Sequence, residues 1–79
     1  STTFRYFLNT SDKVEIKIYS VSGFFIESIK DNSIYQNEYN EIIWDTKDLD
    51  SGVYLANLIS LSNGKEKDSK IIKVLVINE

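Results

Sequence analysis

Apolar and polar residues alternate with a period of two through most of this chain. Residues 14–19, VEIKIY, are the clearest case: Val14, Ile16 and Ile18 fall on one side, Glu15 and Lys17 on the other. A strand buried on one face requires that pattern. Residues 3–8, TFRYFL, set Phe4, Tyr6 and Leu8 against Arg5 and Phe7. Residues 41–45, EIIWD, put Ile42 and Trp44 together, and residues 53–61, VYLANLISL, make a long strand. Residues 70–78, KIIKVLVIN, close the chain with Ile72, Val74 and Val76 on one side. Between these runs, SVSG at 20–23 reverses the chain, because Gly23 accepts the positive φ of a tight turn. FFIESIK at 24–30 is then the return strand. Asn63-Gly64 signals a second hairpin. The polar stretches 9–13, 31–40 and 46–52 read as loops. The pattern predicts an all-β domain, an antiparallel sandwich of six or seven short strands with no helix of normal length and Trp44 at its centre.

Composition narrows what such a domain does. A single domain of 79 residues buries only about 60% of its unfolded surface, so nearly every large apolar side chain is needed inside. Five Tyr, four Phe and one Trp supply much of that volume. The net charge is −3 and the cations are scattered, which excludes a phosphate-binding surface and hence nucleic acid. There is no Cys and no His, so thiol nucleophiles, disulfides, ordinary zinc sites and the commonest general base are all missing. No apolar run reaches the length that spans a bilayer as a helix. The chain opens directly into a strand-like pattern, and we expect it to be one piece of a longer protein.

Candidate chemistry is thin. Glu27, Glu38 and Glu41 are the carboxylates close to aromatics. A glycosidase holds two carboxylates across a cleft, for which a small sandwich has little room. No catalytic residue and no cofactor are expected. Asp45, Asp48 and Asp50 form a D-x-x-D-x-D run, and calcium takes several oxygen ligands from one loop, but no metal is expected here. The run's spacing departs from the EF-hand, and Asp is a common turn residue.

The hairpin VEIKIYSVSGFFIESI resembles the V-x-I-x-I-Y-D-x-x-G-x-x-V hairpin of a bacterial immunoglobulin-like family. That family comprises the C-terminal sorting domains of type IX (Por) secretion cargo and the similar sandwich of flagellar hook-capping proteins. IIWDTKDLDSGVYLANL resembles its W-D … L-x-x-G-x-Y segment, matched here by Trp44, Asp45, Leu49, Gly52, Val53 and Tyr54. SKIIKVLVIN resembles the terminal strand of sorting domains, with Lys73 before the last apolar run, and STTFRYFL resembles their T-T-I-x-Y-x-L strand. Ser20 stands where the family has Asp, Phe24 where a polar residue is usual, and the preceding Asn-Pro motif is absent.

The resemblance implies a non-catalytic immunoglobulin-like tail at the C-terminus of a larger exported protein. Such a tail is read by an outer-membrane translocon and its shuttle proteins, and its cargo reaches the surface or medium of a Gram-negative bacterium through the periplasm. The residues it singles out are Gly23, Gly52, Val53 and Tyr54, with Lys73, Val74, Leu75 and Val76 in the terminal strand. Two other readings remain: a spacer or assembly module of a surface protein, and a carbohydrate-binding module using Tyr35 and Tyr39. Phe7 and Phe24 are expected outside the core, with Ile43 and Leu55 as candidates to join them, and cover by the other sheet or by a longer parent protein is expected rather than an open surface patch. Ile59 and Leu61 share Leu55's side of their strand.

Overall fold

The computed structural model describes residues 1–8, 13–31 and 37–78, with the side chain of Leu8 excepted. Six strands run through them: β1 (Thr2–Leu8), β2 (Lys13–Ser20), β3 (Phe25–Asp31), β4 (Glu38–Trp44), β5 (Gly52–Ser62) and β6 (Lys65–Val76). They form two antiparallel sheets, β1-β4 and β3-β2-β5-β6. The architecture is the expected all-β sandwich.

The inward sets meet between the layers. Phe4 and Trp44 come from the small sheet; Val14, Ile16, Ile18, Tyr54, Ala56, Val74 and Val76 come from the large one. Ile16 and Ile18 are completely buried, as an interior strand flanked by β3 and β5 permits. Trp44 stacks on Phe4 with centroids 6.0 Å apart and meets Tyr54 edge-on at 5.9 Å.

Three boundaries differ from the sequence reading. Residues 38–40 belong to β4 and pair with Leu8, Phe7 and Tyr6, whereas the sequence placed them in a loop. Their inward member is Asn40, buried and donating to the Glu38 carbonyl, so the apolar period fails there. β6 begins at Lys65 rather than residue 70, because KEKDSK pairs through its backbone without apolar residues. β3 begins at Phe25, and a bulge opposite Ile18/Tyr19 shifts its phase. Ile26 and Ile29 therefore both pack on the core despite their spacing of three, while Phe25 meets Tyr19 at 5.7 Å.

The Tyr6 hydroxyl donates to Asp31 across the sandwich at 2.9 Å. Burial first, then the carboxylate beside it, hold this phenol well above its ordinary value of 10.0. In the unfolded chain Tyr6 loses its proton near pH 10, while in the fold it keeps it. This contribution is therefore complete below pH 10 and lost as pH rises above it. Urea melts across pH 9–11.5 are expected to show a steeper alkaline decline for the native chain than for Tyr6→Phe; equal slopes would remove Tyr6 as the cause.

Candidate functional site

The sequence-predicted residues gather at one pole of the sandwich, but they do not share one role. Gly23 closes the β2–β3 turn at φ 96°, its N–H on the Ser20 carbonyl at 2.9 Å. The Ser20 N–H donates to the Phe24 carbonyl at 2.8 Å, and the Ser20 hydroxyl accepts the Phe24 N–H at 3.1 Å. Serine thus supplies the turn with the acceptor that an Asp would offer.

Tyr54 points inward against Trp44, and its hydroxyl donates to the Asp50 carbonyl at 2.6 Å. This ties the strand start to the preceding loop, in the manner of the tyrosine corner of immunoglobulin sandwiches. Gly52 is different. It is the first residue of β5, opposite Val76, rather than a turn residue. Its φ lies outside the left-handed region, and a Cβ there would meet nothing within 4 Å. Gly23→Ala is therefore expected to cost about 1–2 kcal/mol through its positive φ. Gly52→Ala is expected to be neutral, or to stabilise by about 0.4–1 kcal/mol through a stiffer unfolded chain. Paired urea titrations check this, and an equal loss at both positions would refute it.

The terminal strand divides by face. Val74 and Val76 are core residues, 9% and 3% exposed. Ile71 and Leu75, on the other side, are 66% and 64% exposed, with Lys73 between them. β6 also divides along its length: KEKDSK carries five charges and IIKVLV one. Charge on an edge strand discourages pairing with another chain, and here it is concentrated in the first half, with Lys73 alone in the second.

Register shows what the outward residues adjoin. Lys73 lies across from Leu55, which lies across from Tyr19, which lies across from Phe25. Ile71 adjoins Asn57 and then Lys17, and Leu75 adjoins Val53. Ile59 belongs to this side too, between Glu15 and Ser69, and is buried there. Tyr19, Phe25, Val53, Leu55, Ile71 and Leu75 therefore form one apolar field around Lys73. The sequence named Leu55, Val53 and Leu75 but not Phe25, Ile71 or Tyr19, since contiguity across strands depends on register.

Phe7, Ile43 and Tyr39 lie on the opposite side of the molecule, the outer face of β1-β4. Phe7 and Phe24 therefore do not share a patch. The Arg5 guanidinium sits 4.4 Å above the Tyr39 ring, and Phe7 meets that ring edge-on at 5.3 Å. One ring face of this carbohydrate-platform candidate is thus taken; Tyr35 lies outside the described residues. Glu27 sits on β3, whereas Glu38 and Glu41 sit on β4 in the other sheet.

Asp45 accepts the Lys47 N–H at 3.1 Å, and its other oxygen lies 3.9 Å from the exposed Lys47 ammonium. Among the described residues no three acidic side chains are placed to hold a metal ion. The loop that carries Asp45, Asp48 and Asp50 instead receives the chain end. The Asn78 amide donates to the Thr46 and Leu49 carbonyls at 2.8 and 2.5 Å. The Asn78 N–H donates to the Ser51 hydroxyl, which donates to the Asn78 carbonyl. Sequence reasoning missed this clasp, because its partners lie 27 to 32 residues apart.

A family model described as a secretion system C-terminal sorting domain matches residues 3–77. No curated protein and no solved structure matches the chain.

Proposed function

This chain belongs to the family of secretion system C-terminal sorting domains, the tails of type IX export cargo, and from that premise we propose that it is a non-catalytic address. It directs an upstream cargo domain, in a longer chain that it terminates, across the outer membrane of a Gram-negative bacterium. Translocon and shuttle proteins read the folded module, and the cargo passes through the periplasm to the surface or medium. The observation that carries the reading, beside the family match, is the position of β6. It is an edge of the large sheet, and its apolar half carries one charge, Lys73, against five in the other half. An open edge offers unpaired backbone groups to a partner strand.

The test is export of a fluorescent reporter carrying a signal peptide, the native upstream segment and residues 1–79, in a bacterium with a type IX system. Truncating residues 70–79 is a poor comparison, because it takes Val74 and Val76 out of the core. A reporter without the tail is the cleaner control. Surface or medium fluorescence only with the tail is the expected result. Retention in the periplasm in both cases would overturn the address and favour a spacer module.

A further inference from the structure

We propose that the outer face of β2, β5 and β6 docks a partner protein whose contacting surface is apolar and carries a carboxylate that pairs with Lys73. This rests on the sorting reading and names the surface that it uses.

The argument begins with what surrounds Lys73. Its neighbours along β6 are Ile71 and Leu75, and its cross-strand neighbour is Leu55. Val53 and Tyr19 continue the field, and Phe25 ends it on the far strand. Phe25, Val53, Ile71 and Leu75 are all exposed. Four exposed large side chains in adjoining rows make a patch, and patches of this kind mark interaction surfaces. Scattered single residues would carry no such meaning.

Charge selects the occupant. Lys73 makes no ion pair with any described residue. Lys17, one row away across β5, makes none either. Register places two carboxylates on this face: Glu15, two strands from β6 and directly across from Lys30, and Glu66, across from Leu61 and seven residues before Lys73 along β6. The chain as a whole is acidic, at −3, yet this part of its surface presents cations on an apolar ground. A partner closing over it strips water from the Lys73 ammonium, and an unpaired ammonium in that position is costly. An opposing carboxylate removes the cost and fixes the register. A second copy serves this role poorly, because the same field on its surface carries Lys73 and Lys17 and no carboxylate among Tyr19, Phe25, Val53, Leu55, Ile71 and Leu75.

The reporter fusion tests this in the exporting bacterium, with the melting temperature of each purified variant measured alongside. Lys73→Glu and Leu75→Lys are expected to reduce export about tenfold or more while melting as the native domain does. Lys73→Arg is expected to retain export and Lys73→Leu to lose it. Ile43→Lys, on the opposite sheet, is expected to export normally. A photo-crosslinking side chain at position 71 is expected to form an adduct with an export component that Lys73→Glu abolishes.

Export of the native tail with unimpaired Lys73→Glu and Leu75→Lys variants overturns the docking face and leaves the address standing. Normal export of Lys73→Leu overturns the carboxylate. A dimer in sedimentation that Leu75→Lys dissociates assigns the face to a second copy and overturns the partner. Failure of the native tail to export overturns the address itself and this inference with it.

Discussion

Trp44→Ala leaves the domain without a cooperative melt and unfolded at 37 °C. The indole is 1% exposed and packs against both Phe4 and Tyr54, so it joins the small sheet to the large one. Truncating such a residue costs about 3–5 kcal/mol, because the cavity it leaves collapses only in part. Stability runs at roughly 0.05–0.15 kcal/mol per residue, on the order of 4–12 kcal/mol for a chain of this length. The loss is therefore a large share of the total. The indole N–H has no partner among the described side chains and backbone groups, so the residue serves by volume rather than by hydrogen bonding. Trp44→Phe should accordingly retain a cooperative melt at reduced temperature. Circular dichroism melts of both variants decide the matter; a native-like transition in Trp44→Ala would show that the core does not depend on this contact.

Val74→Asp is expected to be nearly as damaging, while Leu75→Asp, one residue along, leaves the fold intact. Val74 belongs to the core and Leu75 to the outer face. A carboxylate at position 74 enters an apolar layer in which no cation is buried among the described residues, and an uncompensated buried charge costs about 3–5 kcal/mol. At position 75 the same carboxylate stays in water, where surface substitutions move stability by about 0.5 kcal/mol or less. Chemical denaturation of the two variants should give midpoints far apart. Equal midpoints would mean that β6 does not hold the phase described, and the docking face would lose its basis. The contrast also matters for function, because a sorting defect at position 74 reports unfolding and one at position 75 reports recognition.

How far the sequence revealed this molecule depended on which force set each feature. β2 was legible because burial on one face writes a period of two directly into Val14, Ile16 and Ile18. The two hairpins were legible because Gly23 and Asn63-Gly64 meet a backbone demand that few residues satisfy, and all three positions have positive φ. The bulge in β3 was not, since spacing Ile26 and Ile29 by three contradicts strand periodicity until the extra residue is seen. The charged half of β6 and the polar start of β4 were hidden for the same reason: backbone pairing alone holds them, and it leaves no side-chain signature. Among the candidate residues, the motif positions were right to attract attention, yet Tyr54, Val74 and Val76 turned inward and only Val53, Lys73 and Leu75 faced out. Their outward neighbours Ile71 and Phe25 became part of the same surface only through register with β5 and β2.

The Asn78 clasp has a mechanical consequence. Thr2 pairs with Trp44, and Asn78 is fastened to Thr46, so the two ends of the described chain leave the sandwich at the same pole. A pull on the end of the chain, away from an anchored upstream body, loads the clasp at one end and the Thr2–Trp44 pair at the other. Once the clasp's hydrogen bonds yield, the next pair on that side to bear the load is Gly52–Val76, and then each pair of the β5–β6 ladder in turn, as β1 peels from β4 on the other side. That is unzipping rather than shear: the bonds break one after another instead of sharing the force. The tail is thus fastened against thermal fraying at its tip by the Asn78 clasp, while its ladders are oriented to yield pair by pair under steady traction.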